Sequence, residues 1–306
     1  MLLLCLALGE ALLSVDPNTN LLVDEWGRVR VMHGMNVVYK EPPFHPRRTE
    51  YNADDSLVQE DFENFRQWGL TSIRLYMAWE GFEPARHQYN YTYLTVLRDI
   101  VREAEQYGVN VLIDSHHDVY SRKFCGEGFP DWLIDVHSFP KPLKVKLRYD
   151  EEGHPLKKDC MNLPFVSYYA SYDVVQFSHD FFTNKRGMND MFIEMWGRVM
   201  EFFRDEDNVI GYDILNEPTG GNLWANPYSL LGPGQTNNRL LLPFYRKLSA
   251  ALRSIEPNKL FTFEPFPLDM VGGFDGAFSK NSSKHDVLNY HSYCPWGKKY
   301  GTNRCK

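Results

Sequence analysis

The ten residues VIGYDILNEP, 209–218, decide how this chain is read. Residues 209–215 form an apolar run, the pattern of a strand covered on both faces in a parallel sheet. Asn216, Glu217 and Pro218 close it and so deliver a carboxyl group to the strand's C-terminal end. In an α/β barrel the chemistry sits at that end, where an acid can protonate a glycosidic oxygen while a neighbouring amide holds a sugar hydroxyl. Asn and Pro are also ordinary turn residues, so the tripeptide reads alternatively as the cap of a loop leading to the next helix.

Outward from this stretch, apolar β-branched runs alternate with helical patterns, which predicts βα units and a parallel sheet. The runs are 29–38, 71–78, 109–115, 209–215, 259–263 and 287–290. Helices are predicted at 56–68, capped by Asp54 or Asp55, at 91–107, closed by Gly108, at 188–203 and at 237–255. Residues 119–187 break the rhythm with Gly, Pro, aromatic and charged residues in no sustained period, and predict a functional insertion over the barrel mouth. Six strand and helix units are visible, whereas a closed barrel has eight. No repeat, low-complexity tract or charge run marks a second domain, so 15–306 reads as one α/β barrel domain that is incomplete. An open barrel leaves its first and last strands as unpaired edges, which predicts aggregation of the isolated chain or its rescue by a partner.

Composition narrows the function. A chain of 306 residues, 43% apolar, buries a substantial core. Its formal charge of -7 gives no basic footprint for nucleic acid or anionic head groups. Eighteen Tyr, 20 Phe and 7 Trp furnish either a large aromatic core or platforms for sugar rings and acyl chains. Residues 1–14 (MLLLCLALGEALLS) resemble a secretory signal, although no Lys or Arg precedes the apolar run and Glu10 interrupts it, so a plain N-terminal helix is the alternative. Asn90 (NYT) and Asn281 (NSS) are glycosylation acceptors, consistent with a secreted or lysosomal destination. Without Cys5, four cysteines remain: Cys125 and Cys160 within the insertion, and Cys294 and Cys305 near the end. No Cys or His spacing matches a zinc site, no nucleotide or cofactor motif is present, and nothing points to a protein partner.

Polar residues cluster where the predicted strands end. Arg74 is a charge inside the buried run TSIRLYMA and is expected to hold a carboxylate; an Arg snorkelling at a strand end is the alternative. His116 and Asp118 follow the run at 109–115, as substrate binders or as a core His and a helix cap. His291 and Tyr293 follow the last run, as groups facing a bound ligand or as packing.

Taken together, Arg74, His116, Asn216, Glu217, His291 and Tyr293, in that order, resemble glycoside hydrolase family 5, built on the (β/α)8 TIM barrel. The stretches YKEPP (39–43), IRLYMAWEGFEPARHQYN (73–90), DSHHDVYSRKFCGEGFPDW (114–132), YDILNEPTGG (212–221) and LNYHSYCP (288–295) resemble the endoglycoceramidases of that family. The resemblance implies a retaining endo-β-glycosidase that cleaves between oligosaccharide and ceramide in glycosphingolipids, without a cofactor and with access to membrane lipid. It implies Glu217 as general acid/base, Asn216 as its neighbour on the sugar 2-hydroxyl, and Lys40, His116 and Asp118 as binders of the sugar at the scissile bond. His291 and Tyr293 would orient the nucleophile and the reacting sugar.

One departure stands out. The family's nucleophile is a second Glu on a seventh barrel strand, tens of residues beyond the His-x-Tyr element, and its Trp on the eighth strand is likewise unmatched before Lys306. The chain therefore reads as C-terminally truncated, with turnover impaired. Glu264, ending the run next to that of Glu217, is a surrogate nucleophile or a structural acid; Glu80 and Glu83 belong to a loop and Glu127 to the insertion. The insertion aromatics Phe124, Phe129, Trp132, Phe139, Phe165, Tyr168, Tyr169 and Phe177 form either a lipid-facing wall or packing. The other functional readings are a family 5 glucanase on soluble polysaccharide and a non-catalytic glycolipid- or carbohydrate-binding protein.

Overall fold

The computed structural model describes residues 13–227, 233–279 and 283–292. An antiparallel ribbon comes first, β1 (Ser14–Val15) against β2 (Leu22–Val23). There follow β3 (Gly34–Val37), α1 (Gln59–Gln67), β4 (Ser72–Tyr76), α2 (Trp79–Phe82), α3 (Tyr91–Gln106) and β5 (Asn110–Asp114). After the long excursion beyond β5, which holds α4 (Lys157–Cys160) and α5 (Tyr172–Phe182), come α6 (Met188–Phe203), β6 (Val209–Asp213), α7 (Leu242–Leu252), β7 (Leu260–Phe263) and β8 (Asp286–Leu288).

Strands β3 to β8 form one six-stranded sheet in sequential order, every adjacent pair parallel. Parallel neighbours require a crossover, and crossovers that advance one strand at a time are those of consecutive units in a β/α barrel. The apolar runs form strands because both faces are covered: Val111, Ile113, Val209, Tyr212, Phe261 and Phe263 are fully buried. Helices α3 and α6 pack Leu97, Ile100, Val101, Trp196, Val199 and Phe203 against them. Among the described residues, β3 and β8 are the sheet's edges, and Met35 and Leu288 on them are exposed.

Several local expectations are corrected. The strand expected at 29–38 shortens to Gly34–Val37, with Val29 and Val31 exposed. Helix α1 is capped neither by Asp54 nor by Asp55. Asp61 reaches back to the backbone N–H of Val58 at 2.8 Å, and Asp55 pairs with Arg47. The helix expected at 237–255 begins as a π-turn, Asn237–Leu241, before becoming α-helical. The excursion at 119–187 is not irregular throughout, because α5 packs Val174, Phe177, Phe181 and Phe182 into the main core. Its aromatics follow suit: Phe124, Phe129, Phe139, Tyr168 and Phe177 are buried, Phe129 stacked on Phe192 of α6 at 5.7 Å, and only Phe165 of the expected lipid-facing set is exposed. Glu80 lies in α2 and, like Glu83, is buried.

Cys125 and Cys160 form a disulfide across 35 residues of this excursion, while Cys294 and Cys305 lie outside the described residues. Closing a loop of that length restricts the unfolded chain by about 3–4 kcal/mol. Replacing both cysteines by Ser is expected to lower the unfolding free energy by roughly that amount, read from urea denaturation of the oxidised chain.

Candidate active site

The site is organised around Arg74, in the middle of β4 and largely buried. A guanidinium there has lost its water and needs acceptors in several directions. Its Nε donates to Asp213 Oδ2 at 2.7 Å, and Nη2 donates to Asp114 Oδ1 at 2.9 Å, Asn216 Oδ1 at 3.0 Å and Glu264 Oε1 at 3.2 Å. Nη1 lies 2.9 Å from Asp114 Oδ2. Asp114 and Asp213 are the last residues of β5 and β6, and Glu264 follows β7, so one cation draws together the ends of three successive strands. The expectation that Arg74 holds a carboxylate is met three times over.

One guanidinium against three carboxylates leaves a deficit of positive charge, which two histidines supply. Burial alone would lower the His116 pKa, but Asp114, 2.8 Å from Nδ1, overcomes it and raises the pKa to about 9. His291 is raised to about 10 by its hydrogen bonds to Glu217 and Glu264, Nδ1 lying 2.6 Å from Glu217 Oε1 and Nε2 3.2 Å from Glu264 Oε1. Burial, followed by the adjacent Asp213, pushes Glu264 up to about 7 against the pull of His291 and Arg74.

Glu217 stands just past β6 with φ of 39°, in the left-handed region that a residue with a side chain enters at a cost. Its backbone N–H donates to Glu264 Oε2 at 2.8 Å, which holds the strained residue in place. Asn216 beside it is fixed at both ends of its amide: Oδ1 accepts from Arg74, and Nδ2 donates to the carbonyl of His117 at 3.1 Å. The Glu264 carboxyl is buried and accepts from Arg74, from the Glu217 backbone and from Asn289 Nδ2 at 3.0 Å, surroundings that suit a structural acid.

A second cluster lies toward the excursion. Lys40, after β3, places its ammonium against Asp118 and 2.9 Å from Glu127 Oε1. Asp118, despite burial, is held well below the usual carboxylate range by hydrogen bonds from His116 and Lys40, whereas burial pushes Glu127 up to about 7. The two acids meet because Glu127 N–H donates to the Asp118 carbonyl at 2.9 Å. That approach requires Gly126, where a Cβ would fall 1.9 Å from the same carbonyl oxygen, and Gly128 at φ of 115°. His116, Asp118 and Glu127 place donor atoms within 4.8 Å of one another, a spacing a cation would suit, and the Lys40 ammonium already brings positive charge to both acids. His117 faces the other way, buried and stacked on Tyr120 at 4.4 Å, with burial lowering its pKa to about 3.

The structure thus brings Lys40, Arg74, His116, Asp118, Asn216, Glu217 and His291 to one end of the sheet, and Tyr293 lies outside the described residues. Sequence reasoning missed Asp114, Asp213 and Asn289, and assigned Glu127 to the insertion without a place in the site. The first two carried the same signal as Arg74, an ionisable group inside an apolar run.

This geometry is that of a glycoside hydrolase of the β/α barrel class, and residues 40–306 match the family described as Cellulase (glycosyl hydrolase family 5). The chain belongs to glycosyl hydrolase family 5, and its six parallel strands are consecutive strands of that (β/α)8 barrel. It is 37% identical over 293 residues to an endoglycoceramidase of Hydra vulgaris, covering 94% of this chain and 56% of that protein. To an endoglycoceramidase of Cyanea nozakii it is also 37% identical over 293 residues, with 94% and 58% coverage. The chain therefore spans little more than half the length of these relatives. The solved endo-glycoceramidase II from a Rhodococcus species shares the fold, with a TM-score of 0.67 at 21% identity over 88% of this chain and 57% of that one.

Replacing Arg74 by Leu is expected to destabilise the chain by about 3–5 kcal/mol in urea, because Asp114, Asp213 and Glu264 would remain buried without it. The raised histidines set the pH response. Their stabilisation is complete below the unfolded value of about 6.5 and is lost as pH rises through about 9 for His116 and about 10 for His291. Unfolding free energy is expected to fall across that window, and His291→Asn should make the fall shallower.

Proposed function

We propose that the described residues form the acid/base half of a retaining endo-β-glycosidase that cleaves between oligosaccharide and ceramide in glycosphingolipids. The observation that carries this reading is Glu217, a carboxyl held at a strained backbone position at the strand end and hydrogen-bonded to His291 at 2.6 Å. The endoglycoceramidase relatives favour glycolipid over soluble polysaccharide as substrate. Asn216, Lys40, Asp118 and His116 line the same end of the sheet and offer amide, ammonium, carboxylate and imidazole groups to sugar hydroxyls.

Glycosidic hydrolysis with retention uses two carboxyl groups about 5 Å apart, one to protonate the leaving oxygen and one to attack the anomeric carbon. Glu217 takes the first role: its proton passes to the ceramide oxygen and is recovered from the water that releases the sugar. Among the described residues, Glu264 is the carboxyl bonded to the Glu217 backbone, and its oxygens are engaged by donors, so the attacking role is not assigned to it. The formed Cys125–Cys160 disulfide and the exposed Asn90 support placing the protein in the secretory pathway.

Activity is read as oligosaccharide release from a fluorescent ganglioside, measured with and without azide or formate supplied as an external nucleophile. Glu217→Gln is expected to lower the assisted rate by about 10²–10⁴-fold. An unchanged rate in that variant would remove Glu217 from the acid role, and binding without release under every condition would favour a lectin-like protein.

A further inference from the structure

We propose that one ridge of the excursion docks the barrel mouth onto an anionic lipid bilayer. Its apolar part is Met161, Phe165, Val166 and Tyr172 of the excursion with Trp224 of the loop after β6, all between 42% and 76% exposed. Contacts make these residues one surface. Tyr168 donates to the Cys160 carbonyl at 2.9 Å, which brings Met161 beside the 3-10 turn Phe165–Ala170. Trp224 Nε1 donates to the carbonyl of Ala170 at 2.8 Å, and its ring packs edge-on against Tyr172 at 5.3 Å. Trp and Tyr with a ring exposed and a polar end anchored suit the boundary between head groups and acyl chains.

Charge identifies the occupant. The Tyr172 backbone N–H donates to the carbonyl of Lys141 at 2.8 Å, so the stretch 141–148 starts at this ridge. Leu143, Val145 and Leu147 pack against the core, which turns Lys144 and Lys146 outward. Lys141, Lys144 and Lys146 are exposed and have no side-chain partner among the described residues, although the chain as a whole carries a net charge of -7. The acidic turn at 150–152 is set off by the Tyr149–Pro155 bridge, and Asp150 there accepts from the His154 backbone. Unpaired lysines beside exposed aromatic and aliphatic groups complement anionic head groups over acyl chains, and neither a soluble polysaccharide nor an acidic protein surface calls for both. No helix among the described residues is long and apolar enough to cross a membrane, so the contact is peripheral.

The ridge adjoins the site at two points. Tyr169, within the same 3-10 turn, accepts from the N–H of Val119, next to Asp118, and Trp224 lies on the loop that leaves Glu217. Docking here would present the mouth to a head group without lifting the lipid fully into water. The proposal rests on the glycolipid reading for its purpose, and glycolipid-free vesicles let the two fail separately.

The test is co-sedimentation of the full chain with phosphatidylcholine vesicles made with and without phosphatidylserine. Binding is expected to the anionic vesicles, to weaken with salt, and to fall about fivefold per lysine in Lys144→Gln and Lys146→Gln. Trp224→Ala is expected to weaken it further, with circular dichroism and melting confirming that each variant is folded. Absent binding, equal binding to both vesicle types, or folded variants that bind like the parent would overturn the proposal. Self-association abolished by Trp224→Ala in a chain that ignores vesicles would assign the ridge to a second copy, and overturn it equally.

Discussion

A guanidinium buried in a parallel sheet is the constraint on which the rest of this site depends. Arg74 could not be desolvated without acceptors, and the acceptors available at its level are the residues at the ends of the three strands that follow β4. Asp114, Asp213 and Glu264 therefore meet at one point, and their excess negative charge in turn requires His116 and His291 to keep their protons. The charges are interdependent, so removal of any one leaves others uncompensated in a low-dielectric setting. Geometry follows from the same contacts. The acid that neutralises Arg74 also accepts the backbone N–H of Glu217, and the Arg that binds it also orients the Asn216 amide.

The second cluster is built by different means. Lys40 approaches from after β3 and Glu127 from the excursion, so no single strand places them. Asp118 is instead braced by the close backbone pairing at Gly126 and by the left-handed residues Val119 and Tyr120, with φ of 52° and 67°. A β-branched residue in that region is costly, and here the Val119 N–H is held by the hydroxyl of Tyr169. The disulfide at Cys125 lies two residues from Glu127, which ties the far side of the Asp118–Glu127 bridge to α4. Rigid strands supply the charge centre, and a stapled loop supplies the groups around it.

What was legible in the sequence follows this division. Strands buried on both faces announce themselves as unbroken apolar runs, and Arg74, Asn216 and Glu217 stand out against them. Asp114 and Asp213 were equally visible in VNVLIDS and VIGYDIL but lie within the runs, where a short strand end hides a polar residue more easily than a helix does. The excursion was opaque because α5, with the sequence YDVVQFSHDFF, buries Asp173 and Ser178 as well as its apolar face. Asp173 accepts three backbone N–H groups from residues 137–139, a long-range satisfaction that no local period encodes. The α1 start was misplaced for a similar reason: several acids stand before the helix and in its first turn, and only the backbone path selects Asp61.

Two glutamates sit side by side at this end of the sheet, and their surroundings give them opposite work. Glu264 is buried against Asp213 and wrapped by donors, so its charge is committed to Arg74, Asn289 and the Glu217 backbone. Glu217 is pushed outward by its left-handed turn and is met by His291, whose other nitrogen faces Glu264. The imidazole therefore stands between two carboxyl groups, and because the positive charge it carries faces both, a proton moved along the 2.6 Å contact would be felt at Glu264 and through it at Arg74. For the acid role proposed for Glu217 the division of labour with Glu264 matters, because a carboxyl that itself held Arg74 would unsettle the sheet whenever it gained or lost a proton.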